Sequence, residues 1–131
     1  MASNGLITRE STRPAKATID RLAAALAAKG VTIFARIDHA QGAAEVGMSL
    51  PPTEVLIFGN PKAGTPLMQE NPAIGIDLPL KMVAWQDATG KSWVAYNDPA
   101  WLAQRHGVKG LAAGVAAMAA LLEELARHAA T

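Results

Sequence analysis

The sequence predicts an α+β domain, and three observations carry that reading. Short apolar runs at 31–37, 53–58 and 80–86 have the length and alternation of strands, whereas apolar residues at 15–26 and 111–125 recur every three or four positions, as on a helix face. Strands and helices alternate as far as Glu70, and then the alternation stops. Asp87-Ala88-Thr89-Gly90 is a four-residue turn between two strand-like runs. Such a hairpin requires antiparallel pairing, which excludes a purely parallel α/β sheet.

In chain order, residues 6–10 read as a short strand. Pro14 stands where a helix begins, with Arg13 before it pushed away from helical geometry. Ala15, Ile19, Leu22 and Leu26 form its apolar stripe, and Gly30 is its left-handed stop. Residues 31–37 are a strand with Val31, Ile33, Ala35 and Ile37 on one face and Thr32, Phe34 and Arg36 on the other. Asp38 can cap a helix over 39–46 that Gly47 closes. Pro51-Pro52 forces an extended approach to the strand 53–58, whose Val55-Leu56-Ile57-Phe58 reads as buried.

Residues 59–65 form a turn-rich loop, after which Thr65 caps and Pro66 starts a short helix ending at Asn71-Pro72. The strand 80–86 places Leu80, Met82 and Ala84 on one face, and 91–96 is its hairpin partner. Asn97-Asp98-Pro99 is another cap-then-proline start, for a helix that Gly107 stops after Arg105-His106. The last helix runs from 111 to about 128, with Leu111, Val115, Met118, Leu122 and Leu125 inward and a frayed end at His128.

The length of 131 residues fits one domain over 1–131, with a core at about 6–128. Net charge is +1 with no like-charge run, so nothing recommends a nucleic-acid partner. Cysteine is absent, which excludes disulfides and thiolate chemistry and suits a reducing compartment. The longest apolar segment, 110–122, falls short of the ~18 residues of a membrane span. MASNGLITRE lacks the features of a signal peptide. A cytoplasmic protein with no membrane partner is expected.

Several stretches together resemble a known bacterial family. They are Ala35-Arg36-Ile37-Asp38-His39-Ala40, Leu56-Ile57-Phe58-Gly59-Asn60-Pro61-Lys62, Gly64-Thr65-Pro66-Leu67-Met68, Asp77-Leu78-Pro79-Leu80-Lys81 and Tyr96-Asn97-Asp98-Pro99. The chain from about Leu6 to His106 is similar to the family named domain of unknown function 302. The resemblance implies a curved, mostly antiparallel sheet against a long C-terminal helix, like the TATA-box-binding-protein fold, often in a dimer. It implies no DNA binding and no agreed activity.

The chemistry-bearing candidates are few. The glycine spacing of 59–65 fits a phosphate loop, but Thr65 stands where that loop needs its lysine, which argues against a nucleoside triphosphatase. A helix start at Thr65-Pro66, with Gly64 and Lys62 beside it, could still hold an anion; the structural alternative is a turn capped by Asn60 and Thr65. Asp38-His39 offers an oriented imidazole for acid–base work, or else a plain helix cap. Asp77 and Lys81 flank Pro79, so they are not a helical ion pair; they either border a pocket mouth or are solvated strand ends. His106 has a bland reading at a helix C-terminus, and Asn97 and Asp98 have one as a helix start. Trp85, Trp93 and Trp101 suit core or dimer contacts better than ligand stacking. No ligand-spaced pair supports a metal site, and no cofactor is expected.

The expected function is a small polar or anionic ligand-binding homodimer using Asp38, His39, Asn60, Lys62, Gly64, Thr65, Asp77 and Lys81. Two alternatives are a small enzyme with His39 as acid or base, and a pure protein-interaction domain. An enzyme requires His39 and a lysine to approach one reacting atom.

Overall fold

The structure, a computed structural model, describes residues 4–131; Met1–Ser3, which begin the stretch read for a leader, lie outside the described residues. The strands β1 (Leu6–Ser11), β2 (Thr32–Asp38), β3 (Thr53–Gly59), β4 (Leu80–Gln86) and β5 (Ser92–Asn97) form one sheet ordered β1-β5-β4-β3-β2. Every neighbouring pair is antiparallel, so the α+β expectation holds for the whole sheet.

The sheet buries one face. Glu54, Leu56 and Phe58 of β3 are buried while their neighbours are half-buried. Met82 and Ala84 of β4 and Val94 and Tyr96 of β5 share that face by register. On them pack α1 (Ala15–Ala28), through Ile19, Leu22 and Leu26, and α5 (Ala112–Ala130), through Leu122 and Leu125. The opposite face carries half-buried Val55, Ile57, Val83, Trp85 and Trp93.

Three expectations need correction. The first is the C-terminus, which does not fray at His128. Helix α5 continues to Ala130, with Ala129 and Ala130 buried. The Ala130 carbonyl accepts from the Thr12 amide at 2.9 Å, and the His128 carbonyl accepts from the Arg21 guanidinium at 3.2 Å.

The second is β2, whose alternation breaks. Ile33 pairs with Phe58 but Ala35 pairs with Ile57, so Phe34 is a bulged extra residue and Ile33 leaves the face of Ala35 and Ile37. This edge strand is pinned by Arg36, which donates to Glu54 and to Asp20 of α1, each at 2.7 Å. The pairing satisfies the buried Glu54 carboxylate, a role the sequence pattern did not single out.

The third is the loop expected at 59–65. It is helical: α3 spans Pro61–Glu70 with Pro66 inside it. Asn60-Pro61 and Thr65-Pro66 are both cap-then-proline pairs, and the first one starts the helix. The Asn60 side chain accepts from the Lys62 amide at 3.0 Å. After α3 comes a 3₁₀ turn over Pro72–Ile76 that leads through a cis Leu78–Pro79 bond into β4.

The hairpin turn has a carboxylate at its centre. Asp87 accepts from the Thr89 hydroxyl at 2.7 Å, the Trp93 indole at 2.8 Å and the Lys91 amide at 3.0 Å. The Thr89 hydroxyl first, and the indole next, hold its carboxyl down at about 2. Because the folded value is depressed, this stabilisation is complete above the ordinary carboxylate range and is lost as pH falls toward about 2. Trp fluorescence should therefore change between about pH 4 and pH 2, and the change should vanish in Asp87→Asn. A flat profile in the parent protein would contradict the turn's geometry.

A candidate site around helix α3

Strand β3 ends at Gly59, where the chain turns into α3. A Cβ there would lie 3.5 Å from Phe34 Cε2 and 3.5 Å from Pro79 Cβ, so the turn is closely flanked. Helix α3 docks through Leu67 on a second apolar cluster that includes Val115 and Met118 of α5. Its N-terminal half is bordered by two cavities. One, of about 260 Å³, is walled by Phe34, Thr65, Met68, Leu78, Pro79 and Met118 among others. The other, of about 380 Å³, is walled by Val31, Lys62, Leu111, Gly114, Val115 and Leu121 among others. Gly59, Asn60, Ala63, Leu80 and Met118 border both, so the two cavities are neighbours that share a wall.

The walls are apolar, and Lys62 is the one charged residue in either lining. The start of α3 offers no free amide to a ligand. Lys62 N donates to Asn60 Oδ1, and the Ala63 and Gly64 amides donate to the Asn60 carbonyl at 2.9 and 3.1 Å. Pro61 has no N–H. Thr65 sits within the helix rather than at its cap, so the expected anion cradle of unpaired amides at Thr65 does not form. The polar groups that remain for a ligand are side chains: the Asn60 carboxamide, the Lys62 ammonium and the Thr65 hydroxyl.

Four of the eight sequence-selected residues border these cavities: Asn60 both, Lys62 the larger, and Gly64 and Thr65 the smaller. The other four lie elsewhere. Thr32 pairs with Gly59 and Asp38 with Glu54, so β2 carries Asp38 and His39 to the opposite end of the sheet. A seven-residue strand makes that separation about 20 Å. Asp38 accepts from the Gln41 amide at 2.9 Å, capping α2 (His39–Glu45), and His39 is exposed. His39 and Lys62 therefore cannot meet at one reacting atom.

Asp77 belongs to a separate polar cluster. Its Oδ2 lies 2.6 Å from His106 Nε2 and accepts from Arg105 Nη1 at 2.9 Å, while its carbonyl accepts from Lys81 Nζ at 3.4 Å. Both side chains of the Asp77–His106 pair are largely buried. Asn71 Nδ2 donates to the His106 carbonyl at 2.6 Å. The cluster ties the end of α4 (Pro99–Arg105) to the 3₁₀ turn. Its residues border neither cavity. Asp98 accepts from the Ala100 amide at 3.0 Å, the helix-start role read from its position. Among the described residues, no three His, Cys, Asp or Glu come together as a metal site.

Sequence reasoning missed Phe34, Met68, Leu78 and Gly114. Gly114 carried the clearest signal, as a glycine inside a long alanine-rich helix. A Cβ added there meets nothing within 4 Å, because it faces open space beside the cleft.

A sequence profile described as "Domain of unknown function DUF302" matches residues 7–126. Among curated proteins, the chain is 52% identical over 113 residues to "Fluoride-specific ion channel FluC 1" of Brucella suis, covering 86% of this chain and 44% of that protein. The same identity holds over 86% of this chain for "Fluoride-specific ion channel FluC 1" of Brucella abortus and "Fluoride-specific ion channel FluC 2" of Brucella melitensis, covering 42% of each. The chain thus spans less than half the length of these relatives. No described helix is long and apolar enough to cross a membrane. The crystal structure of an uncharacterised conserved DUF302 protein from Bacillus stearothermophilus superposes with a TM-score of 0.83 at 21% identity, over 95% of this chain and 98% of that one. At that identity the likeness speaks for the fold alone.

Proposed function

Since this chain belongs to the family described as Domain of unknown function DUF302, whose name states no reaction, we propose from its geometry a non-catalytic role: a cytoplasmic, dimeric module that binds a small molecule beside α3. The observation that carries this is the pair of adjoining cavities meeting at Gly59, Asn60 and Ala63. The larger one falls within the ~300–1,000 Å³ of small-molecule sites, and apolar walls with few polar groups are their usual make-up. The alternative of an acid–base enzyme at His39 loses its geometric basis, because no lysine of the cleft reaches that imidazole.

Methionine methyl resonances test the reading. Met68 and Met118 border the cleft, Met82 is in the core, and Met48 is exposed. Small molecules that bind should move the Met68 and Met118 signals and leave Met48 and Met82 fixed. A screen that moves none of them, or moves Met48 alone, would contradict the proposal.

The dimer rests on the uncovered sheet face. Val55, Ile57, Val83, Trp85 and Trp93 are only half-buried there, flanked by Leu6 and Ile37 at 42% and 41% exposure. A second copy laid face to face would remove that surface from water. Light scattering should give twice the 13.6 kDa chain mass, and Val83→Lys should give the single mass. A parent protein with the mass of one chain at micromolar concentration would remove the dimer.

A second reading comes from the Brucella relatives, whose names state a fluoride channel. Ion conduction in those proteins would lie in the part this chain does not match, and this chain would be an accessory to fluoride handling. Cells lacking it should retain a different amount of fluoride, as read by a fluoride electrode; identical retention would dismiss this reading.

A further inference from the structure

We propose that the larger cavity beside α3 takes an aliphatic monocarboxylate, with its hydrocarbon along the apolar walls and its carboxylate at Lys62 and Asn60. This deepens the small-molecule reading above and rests on it.

The argument is complementarity of charge and shape. The walls beyond Asn60 and Thr65 supply methionine, leucine, valine, proline and phenylalanine surface, which rewards an apolar body and leaves a polar one unpaired. No carboxylate lines either cavity, and the single charged lining residue is a cation. Among the described residues, Lys62, like Lys81 and Lys109, has no salt-bridge partner, and of these three only Lys62 borders either cavity. The ligand's charge is therefore negative and single. Helix amides add nothing, since Asn60 has taken them, so recognition rests on the lysine and the carboxamide. The Asn60 Oδ1 atom is committed to the Lys62 amide, which leaves its NH₂ to donate. Asn60 and Lys62 both border the larger cavity, so a carboxylate held by them places its hydrocarbon beside Val31, Leu111, Val115 and Leu121.

The test is calorimetry on delipidated protein with octanoate, octan-1-ol and acetate as probes. Octanoate should bind, and octan-1-ol and acetate should each bind at least about tenfold more weakly. Lys62→Ala should weaken octanoate about five- to tenfold, a loss limited by solvent around an exposed ammonium. Gly114→Leu, which adds bulk at a wall of the larger cavity, should weaken it. An added Cβ there meets nothing within 4 Å, and the variant's melting temperature serves as the folding control. Equal binding of octanoate and octan-1-ol, with no effect of Lys62→Ala, would overturn the carboxylate while leaving a small apolar ligand in place. Octanoate binding that is unchanged in Gly114→Leu would overturn the location. If no probe binds, the monocarboxylate is wrong, and the methionine screen then decides separately whether the cleft binds anything.

Discussion

Replacing Leu122 by alanine is expected to lower the unfolding free energy by ~2–5 kcal/mol. Leu122 is 1% exposed and lies in the main core cluster with Leu22, Leu26, Leu56 and Met82. Truncation there removes the transfer free energy of three carbons and leaves a void. The void cannot close, because α5 is held at its far end by the Thr12–Ala130 and Arg21–His128 bonds. Leu121→Ala, one position round the helix and half-buried, is the matched control and should cost less. A chemical denaturation midpoint for Leu122→Ala that stays at the parent value would contradict the packing of α5 on the sheet.

Gly5→Ala should cost a further large amount, ~2–4 kcal/mol, for a reason no sequence pattern announces. Gly5 has φ +79°, where a side chain is strained, and a Cβ there would overlap the Trp101 ring, 2.6 Å from Cγ and from Cε3. The site cannot move away easily, because the Gly5 carbonyl accepts from the Asp98 amide at 2.7 Å, tying the entry of β1 to the start of α4. A double-mutant cycle with Trp101→Ala separates the two causes. Removing the ring should relieve the overlap and leave the backbone strain, so the double variant should be more stable than the sum of its parts implies. Strict additivity, or no loss in Gly5→Ala alone, would contradict this contact.

Much of the fold was legible because its signals are local. The stripe Ile19, Leu22, Leu26, the stop at Gly30, the turn at Asp87–Gly90 and the cap at Asp98 each follow from neighbouring residues, and all occur. Where two local signals competed, the reading failed. Asn60-Pro61 and Thr65-Pro66 can each start a helix, and the sequence alone does not say that the first one does. The bulge at Phe34 was invisible for a similar reason, since pairing with β3 decides it. Asn60, Lys62, Gly64 and Thr65 were singled out by position, and they border the two cavities beside α3. The apolar walls were not, because Phe34, Leu78 and Met118 come from three distant segments and look like ordinary core residues. Asp77 and His106 lie far apart in sequence, and nothing local pairs them.

A native mass spectrum of freshly purified protein, compared with the Gly114→Leu variant, tests the small-molecule cleft most directly. The account predicts that the parent carries a small adduct, or acquires one on incubation with octanoate, which departs on gentle activation, and that the variant carries less of it. A parent protein that stays bare under both conditions, or an adduct carried equally by the Gly114→Leu variant, would contradict it.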